Sequence, residues 1–273
     1  MPTPPAPGLT HFAARAGDHN DRAMAASPRL AQALAGLLGQ PPTVIGAPEP
    51  ALAADWDVEL TAARPALQAM RAHYDDVLGR GLTPVTALSR CAVALATLPA
   101  VAQHRPDAVV IWFDAHADLN TPATTPTGYL GGLALSGSLG WWDSGLGAGL
   151  APDRTVLAGV RDIDPPEAEL MRSHAVALVA PGPDFARRLG EAVAGRPVYI
   201  HIDCDVLDPD TVPTDYRVPN GLSLGDLRAA AAVLTGSEIV GLEIGELETQ
   251  TQAEDLDPLL QALAPVLTAV VQS

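Results

Sequence analysis

The sequence of 273 residues predicts a three-layer α/β/α sandwich with a mostly parallel central sheet. Short apolar runs rich in β-branched residues alternate with Ala- and Leu-rich stretches that have helical periodicity. Two of the apolar runs, at residues 108–113 and 197–202, are almost continuous, which indicates strands buried on both faces between layers of helices. A regular alternation of strands and helices is typical of this class of fold.

The expected elements follow one another along the whole chain. We expect strands at residues 43–46, 82–88, 108–113, 155–160, 175–179, 197–202 and 238–244. We expect helices at residues 28–36, 59–78, 92–103, 167–173, 184–194, 224–234 and 256–271. Ser223 is a suitable N-cap for the helix at 224–234, because its hydroxyl can accept a hydrogen bond from the first turn. The proline-rich residues 1–8 should form a disordered tail, and residues 9–273 a single domain.

Lysine is absent, so arginine supplies all 16 fixed positive charges against 32 carboxylates, and the formal net charge is −16. The absence of lysine excludes a lysine Schiff base, a lysine general base and the lysine of a phosphate-binding P-loop. A strongly acidic chain is also a poor partner for nucleic acids, whose affinity for proteins comes mostly from neutralisation of phosphates.

The apolar runs are all shorter than the roughly 20 residues that would span a bilayer, and residues 1–8 lack the features of a signal peptide. The two cysteines, Cys91 and Cys204, are too few for a disulfide framework. We therefore expect a soluble cytoplasmic protein with reduced thiols and without a membrane or nucleic-acid partner.

Acidic clusters follow two of the buried strands at the point where each strand ends. Asp114, His116 and Asp118 come directly after the first, and alternate residues of an extended chain point to one side. Asp203 and Asp205 follow the second strand with the same spacing. Ligand sites in parallel α/β sheets form at the carboxyl ends of strands. The sequence therefore predicts one site with four carboxylates and an imidazole.

Four carboxylates in one place repel one another unless a positive charge compensates them. Without lysine, a metal is the natural source of that charge. Oxygen ligands with one imidazole suit Mn²⁺, and five ligands suit two ions, which would activate a water molecule as nucleophile. The alternative, that each cluster is only a turn or a helix cap, suits a lone Asp-X-Asp better than two clusters that each end a buried strand.

Both clusters resemble the signature motifs of the ureohydrolase superfamily, which comprises arginase, agmatinase and formimidoylglutamase. The similar segments are residues 114–122 (DAHADLNTP) and 201–209 (HIDCDVLDP), together with residues 159–164 (GVRDID) and 241–246 (GLEIGE). The resemblance covers about residues 82–250. It implies a three-layer α/β/α fold, two Mn²⁺ ions per chain, hydrolysis of a guanidino C–N bond and, as is usual in the family, a homo-oligomer.

The resemblance also implies roles for the acidic clusters. Asp114 and Asp203 match ligands that contact both metals. Asp118 matches a ligand of one ion, and His116 and Asp205 match ligands of the other. Asp118 is in addition the expected catalytic carboxylate, which bonds the attacking water.

Substrate contacts are implied by the same resemblance. Glu246 matches a catalytic carboxylate that pairs with the substrate guanidinium. Asn120, Thr125 and Thr127 match positions near the carboxylate of an amino-acid substrate, and Asp164 matches a position near its α-amino group. These contacts favour an amino-acid head group over agmatine.

Two sites in the sequence depart from the usual family pattern. The first metal motif is usually Gly-Gly-Asp-His, whereas residues 88–91 read Leu-Ser-Arg-Cys, so Cys91 stands at the position of a histidine ligand and Arg90 at that of a supporting aspartate. Gly131 replaces a histidine that shuttles protons in arginases. We expect Cys91 to ligate metal, because it follows a strand at the same sheet end as both acidic clusters. The alternative is a buried core cysteine.

Three further residues differ near the expected site. Tyr129 and Arg217 stand where arginases have smaller polar residues near the substrate. His201 replaces a small residue two positions before Asp203, so we expect it to lie behind the ligands.

A branch of the family that hydrolyses Nω-hydroxy-L-arginine shares the cysteine, and residues 92–99, 128–132 and 142–150 resemble that branch most. A Cys91 thiolate would add a fifth anionic ligand, weaken the metals as Lewis acids and favour a more reactive, less basic substrate.

The leading hypothesis is therefore a hydrolase with two Mn²⁺ ions that cleaves Nω-hydroxy-L-arginine or L-arginine to hydroxyurea or urea and ornithine. Two alternatives remain open. One is an activity of the agmatinase or formimidoylglutamase type. The other is a degenerate, non-catalytic homologue that only binds metal.

Overall fold

The computed structural model describes residues 7–248 and 256–272. The strands of this part of the chain are β1 (Pro7–Phe12), β2 (Thr43–Ile45), β3 (Thr83–Ala87), β4 (Val109–Phe113), β5 (Thr155–Ala158), β6 (Ala177–Val179), β7 (Val198–Asp203) and β8 (Ile239–Gly245). The helices are α1 (Arg22–Leu38), α2 (Trp56–Gly79), α3 (Ala94–His104), α4 (Ala134–Ser138), α5 (Pro165–His174), α6 (Phe185–Val193), α7 (Leu224–Leu234) and α8 (Asp257–Gln272).

The strands form one parallel sheet in the order β2-β1-β3-β8-β7-β4-β5-β6. The predicted α/β/α sandwich is therefore confirmed, and the seven expected strands are all present with bounds within two residues of the prediction. Connections between parallel neighbours need crossovers, and helices on both faces provide them.

Side chains alternate across the sheet and divide the core into two layers. Val109, Ile111 and Phe113 of β4 belong to a cluster with residues of α1, α6, α7 and α8. Val110 and Trp112 belong to the opposite cluster, with residues of α2, α3 and α4. All five side chains are buried, as the continuous apolar run predicts for a strand between two helix layers.

The N-terminal strand β1 corrects the expected tail. β1 begins at Pro7, so Pro7 and Gly8 are part of the sheet, paired with Thr83 and Pro84 of β3. Residues 1–6 of the expected tail lie outside the described residues. Because β1 lies between β2 and β3, neighbours on both sides stabilise a segment whose proline and glycine favour a turn by local propensity.

Two helices also differ from the prediction. α1 begins at Arg22 and contains Pro28, which the sequence suggested as its first residue. α4 lies within residues 120–149, for which no helix was predicted. The cap of α7 is confirmed, because the Ser223 hydroxyl accepts a hydrogen bond of 3.1 Å from the Asp226 amide. None of the helices in the described ranges has the length and apolar character needed to cross a bilayer.

Gly159, just after β5, is a position where the fold requires glycine. Its φ is +88°, and a Cβ there would lie 2.4 Å from Cγ2 of Val206. We predict that Gly159→Ala lowers the free energy of unfolding by about 2–4 kcal/mol, because it combines left-handed strain with overpacking. Urea denaturation followed by circular dichroism measures this change.

The matched control is Gly36→Ala in α1, where no atom lies within 4 Å of the added Cβ. This variant should gain about 0.5–1 kcal/mol, because alanine is the better helix former. Equal effects of the two substitutions would contradict the role assigned to Gly159.

Candidate active site

Four neighbouring strands place functional side chains at one edge of the sheet. β3, β8, β7 and β4 lie side by side. Cys91 and Glu246 lie shortly after β3 and β8, Asp203 ends β7, and Asp114 directly follows β4. Because parallel strands end at the same edge, these residues meet there.

The segment after β4 is held by hydrogen bonds to Asp114, whose side chain is fully buried. Its Oδ2 accepts a bond of 2.9 Å from Nε1 of Trp112, and its Oδ1 accepts a bond of 2.6 Å from the amide of His116. Asp118 has a left-handed backbone, with φ of +51°. The chain after β4 is therefore not a regular extended strand. Asp118 reaches the site through its left-handed backbone conformation and not through the alternation of side chains that the sequence suggested.

The segment after β7 is joined to the one after β4. Asp203 Oδ1 accepts a bond of 2.8 Å from the Asp205 amide, and Asp205 Oδ1 accepts a bond of 3.0 Å from the Ala115 amide. Nδ1 of His116 lies 3.1 Å from Asp205 Oδ2 and 3.3 Å from Asp114 Oδ1. The two acidic clusters of the sequence are therefore one cluster in space.

The six metal ligands expected from the sequence fall into groups whose ligand atoms lie within 4.8 Å of one another. The groups are Cys91–Asp114–Asp118, Asp114–His116–Asp205 and Cys91–Asp203–Glu246. Asp114 belongs to two groups and Cys91 to two, so the groups form one continuous set of ligands.

Burial is the main cause that raises the pKa of three carboxyls in this cluster. The pKa of Asp114 rises to about 6, with the charge of Asp205 as the second cause. The pKa values of Asp118 and Asp203 rise well above their usual range, with neighbouring carboxylates adding to burial. Burial also acts on Asp205, but His116 outweighs it and lowers the pKa of Asp205. The charged forms of these acids therefore need a compensating cation.

The donor set fits a metal centre. Oδ2 of Asp205 is buried and lies 3.1 Å from Nδ1 of His116 without forming a well-aligned hydrogen bond. A buried carboxylate oxygen in this position is stabilised when a cation lies against it. Carboxylate oxygens, an imidazole and a thiol are all ligands of divalent metals once the thiol is deprotonated.

Cys91 is buried in the same cluster. Its Sγ lies 3.1 Å from Nε2 of His201 and donates to Oδ2 of Asp203 over 3.2 Å. Burial raises the pKa of the Cys91 thiol, and the charge of Asp203 raises it further. Cys204, in contrast, is buried in the apolar core with α7 and α8, as expected for a packing residue.

A hydrogen-bonded chain lies behind Cys91, and it includes His201 as the sequence suggested. Nδ1 of His201 lies 2.7 Å from Oε1 of Glu243, and Oε2 of Glu243 accepts a bond of 2.7 Å from the Tyr199 hydroxyl. The ring of Trp112 stacks on His201 at 3.6 Å with an interplanar angle of 2°. These contacts fix the imidazole that faces Cys91. The sequence predicted no role for Glu243, although it lies in the segment 241–246 that resembles the family.

A cavity of about 220 Å³ adjoins the acidic cluster. Asn120, Thr127 and Asp164, three of the residues expected to contact substrate, line it. Asn120 Nδ2 donates a bond of 2.8 Å to Asp164 Oδ2, which ties two of these positions together. Tyr216 also lines the cavity, and sequence reasoning missed it.

Two expected positions lie elsewhere. Thr125 does not line this cavity, and its hydroxyl instead accepts a bond of 3.1 Å from the Gly128 amide within the loop. Arg217 is half-exposed and pairs with Asp210 at 2.6 Å, outside the cavity lining. Its neighbour Tyr216 points inward instead. Which of two neighbouring side chains points into a cavity cannot be predicted in an irregular loop, because such a loop has no periodic pattern in the sequence.

Tyr129 occupies the space that a side chain at Gly131 would need. A Cβ on Gly131 would lie 2.4 Å from Cε1 of Tyr129. The Tyr129 hydroxyl donates a bond of 3.1 Å to Oε1 of Glu246 in the cavity wall. The missing side chain at Gly131 is therefore coupled to the presence of Tyr129.

The family model for the arginase family matches residues 42–265. The chain belongs to this family, whose members are metal-dependent hydrolases of C–N bonds in linear amidines with a binuclear site. The match and the observed sandwich confirm the resemblance seen in the two aspartate motifs.

Among the relatives, the N(omega)-hydroxy-L-arginine amidinohydrolase of Streptomyces lavendulae is 44% identical over 243 residues, which cover 89% of this chain and 88% of that protein. The arginase of Bacillus caldovelox is 28% identical over 217 residues, which cover 74% and 70%. The solved structure of Entamoeba histolytica arginase in complex with L-ornithine has a TM-score of 0.81 at 18% identity and covers 98% of this chain and 99% of that one. These similarities agree on guanidino hydrolysis and on the fold.

Repulsion in the acidic cluster predicts opposite effects of one substitution on the apoprotein and on metal binding. The pKa of the Asp203 carboxyl is raised because its charged form is unfavourable in the folded apoprotein. Asp203→Asn removes this carboxyl, so the metal-free variant should unfold at a higher temperature than the wild type. A divalent metal should stabilise the wild type by about 2.7 kcal/mol at a concentration 100 times its Kd, and the variant much less.

Thermal unfolding with and without Mn²⁺ measures both effects. Asp226→Asn, in the exposed cap of α7, is a matched control that removes one carboxylate outside the ligand groups. A metal-induced shift of equal size in Asp203→Asn and in the wild type would contradict the assignment of Asp203.

Proposed function

We propose that this protein hydrolyses the guanidino C–N bond of Nω-hydroxy-L-arginine, with two Mn²⁺ ions, to give hydroxyurea and L-ornithine. The observation that carries the proposal is Cys91, which joins Asp114, Asp118 and Asp203 in the ligand groups. A relative that matches 89% of the chain at 44% identity is named for this substrate. A thiol ligand requires reducing conditions, which supports a cytoplasmic enzyme.

The residues that would hold the ions are six of the seven in the continuous ligand set, all except Glu246. These are Cys91, Asp114, His116, Asp118, Asp203 and Asp205. Their oxygens and single imidazole suit Mn²⁺. When bound, the ions supply Lewis acidity that activates water and stabilises developing negative charge.

Asp118 and Glu246 supply the catalytic groups of the chain. Asp118 is buried in the cavity wall, where it accepts a proton from the attacking water and delivers it to the leaving δ-nitrogen of ornithine. Glu246 accepts a hydrogen bond from an N–H of the guanidine and so orients its carbon towards the water. Cleavage of the C–N bond leaves hydroxyurea and the amine.

The amino-acid head group would bind at the far side of the cavity. Asn120 and Thr127 offer hydrogen bonds to its carboxylate, and Asp164 offers a charge partner for its α-amino group. Thr125 supports this loop through Gly128. Agmatine has no carboxylate, so it would make no use of the hydrogen bonds that the first two residues offer.

We predict that the Mn²⁺-loaded protein forms hydroxyurea and ornithine from Nω-hydroxy-L-arginine with a kcat/KM at least about tenfold above that for L-arginine. A tenfold preference corresponds to about 1.4 kcal/mol of differential transition-state binding. A product assay that separates urea from hydroxyurea, run with both substrates, agmatine and formiminoglutamate, measures it.

Metal analysis accompanies this assay. Two Mn per chain with turnover supports the proposal, and a clear preference for arginine would show that the substrate assignment is wrong. One metal or none, without turnover of any of the four compounds, would favour the degenerate scaffold.

We also predict that Cys91 ligates metal. The Co²⁺-loaded wild type should show a sulfur-to-cobalt charge-transfer band in the near ultraviolet, because the bound cation stabilises the thiolate against the effects of burial. Cys91→Ser should lose the band. Cys204→Ser is the matched control, since Cys204 lies in the apolar core and should leave the band in place. A band that persists in Cys91→Ser would contradict the assignment.

A further inference from the structure

The carboxylate of Glu246 has little free hydrogen-bonding capacity. Its Oε1 accepts bonds of 2.8 Å from the Cys91 amide and 3.1 Å from the Tyr129 hydroxyl. Its Oε2 accepts a bond of 2.7 Å from Nη1 of Arg90. A carboxylate offers about four acceptor positions, so at most one remains, on Oε2. A bidentate pair with an incoming guanidinium, which needs a free position on each oxygen, is therefore unavailable.

Arg90 also neutralises Glu246. The guanidinium of Arg90 is fully buried, and each of its nitrogens bonds a different carboxylate. Besides the bond to Glu246, Nε donates to Asp18 over 3.2 Å and Nη2 donates to Glu248 over 2.9 Å. Three such bonds leave the planar group no freedom to turn away from Glu246, and a guanidinium keeps its charge at every physiological pH.

Asp18 and Glu248 also contact Arg90, but they do not displace it from Glu246. Glu248 has a second cation, because Nε of Arg22 lies 2.7 Å from its Oε2. Burial raises the pKa of Asp18 to about 6, although Arg90 opposes the shift. Two guanidinium groups, Arg22 and Arg90, therefore face three carboxylates here, and Arg90 is the cation in direct contact with Glu246.

Arginine and its N-hydroxy derivative, which differ by one oxygen atom, should bind differently beside a carboxylate that is already paired with Arg90. An alkylguanidinium has a pKa far above neutral, so almost none of it is in the neutral form at pH 7. The electronegative oxygen of an N-hydroxyguanidine lowers its basicity, so a much larger fraction is neutral. A neutral N–H can use the one free position on Glu246 without placing a second buried cation beside Arg90, which would be costly.

We propose that Arg90 sets the substrate preference of this site, because by occupying and neutralising Glu246 it disfavours guanidinium cations and admits neutral N-hydroxyguanidines. The inference rests on the proposed function and names the residue behind its selectivity. Arg90 acts on the substrate through Glu246, so it is a positioning residue.

The test compares Arg90→Gln with Arg90→Lys in the Mn²⁺-loaded protein. Two quantities are measured: the ratio of kcat/KM for Nω-hydroxy-L-arginine to that for L-arginine, and the Kd of L-arginine by calorimetry. Removal of the charge in Arg90→Gln should lower both the ratio and the Kd on the order of 10- to 100-fold, the range of a charge-assisted hydrogen bond. Arg90→Lys keeps the charge and should retain the wild-type ratio within a few-fold.

Glu248→Gln is the matched control, because it removes a carboxylate partner of Arg90 and leaves the cation beside Glu246. Its ratio should stay at or above the wild-type value. If Arg90→Gln fails to fold because three carboxylates lose their partner, the double variant Asp18→Asn/Arg90→Gln removes one negative charge together with the positive one and should show the same fall.

A folded Arg90→Gln or double variant that keeps both the ratio and the Kd of arginine would overturn the inference. An equal loss for both substrates would also overturn it, since that result indicates only a structural role. If the wild type does not hydrolyse Nω-hydroxy-L-arginine, the proposed function fails, whereas the Kd of L-arginine still tests Arg90 on its own.

Discussion

Asp114, Asp118, Asp203 and Asp205 meet in a place where little water can screen them, and the chain has no lysine to compensate their charge. Burial opposes ionisation of each carboxyl, yet the backbone amides of Ala115, His116 and Asp205 and the indole of Trp112 all donate to these groups. These donors hold the oxygens in fixed positions against mutual repulsion. The parallel sheet positions these carboxylates, because β4 and β7 are neighbours and end at the same edge. Residues that are about 90 positions apart in sequence therefore meet there.

The same constraint is met differently a short distance away. At Glu246 the compensating charge is built into the chain as Arg90, held by three carboxylates, whereas the ligand cluster depends on a charge from outside. With the fixed charge of Arg90 on one side of the cavity and metal ions on the other, a positively charged substrate guanidinium between them would be repelled by both. Tyr129, which fills the space at Gly131 and bonds Glu246, belongs to the same wall.

The fold and the residues that meet in the acidic cluster could be predicted because both depend on local patterns. The apolar runs of β4 and β7 and the spacing of the aspartates can be read along a single segment of chain. β1 could not be predicted in this way, since its pairing with β2 and β3 outweighs its proline and glycine. The partners of Arg90 were missed because they come from positions more than 70 residues away in sequence, and the burial of a guanidinium depends on all of them together.

Asp118 and Glu246, the two residues to which we assign catalysis, are both non-glycine residues in the left-handed region, with φ of +51° and +61°. Backbone of this kind costs about 1–3 kcal/mol per residue. Selection for stability alone would replace these residues early, for instance with glycine or asparagine. A descendant of this chain that no longer needed the reaction would therefore drift towards a more stable protein, and loss of activity would leave a recognisable trace at these two positions before the rest of the sandwich changed.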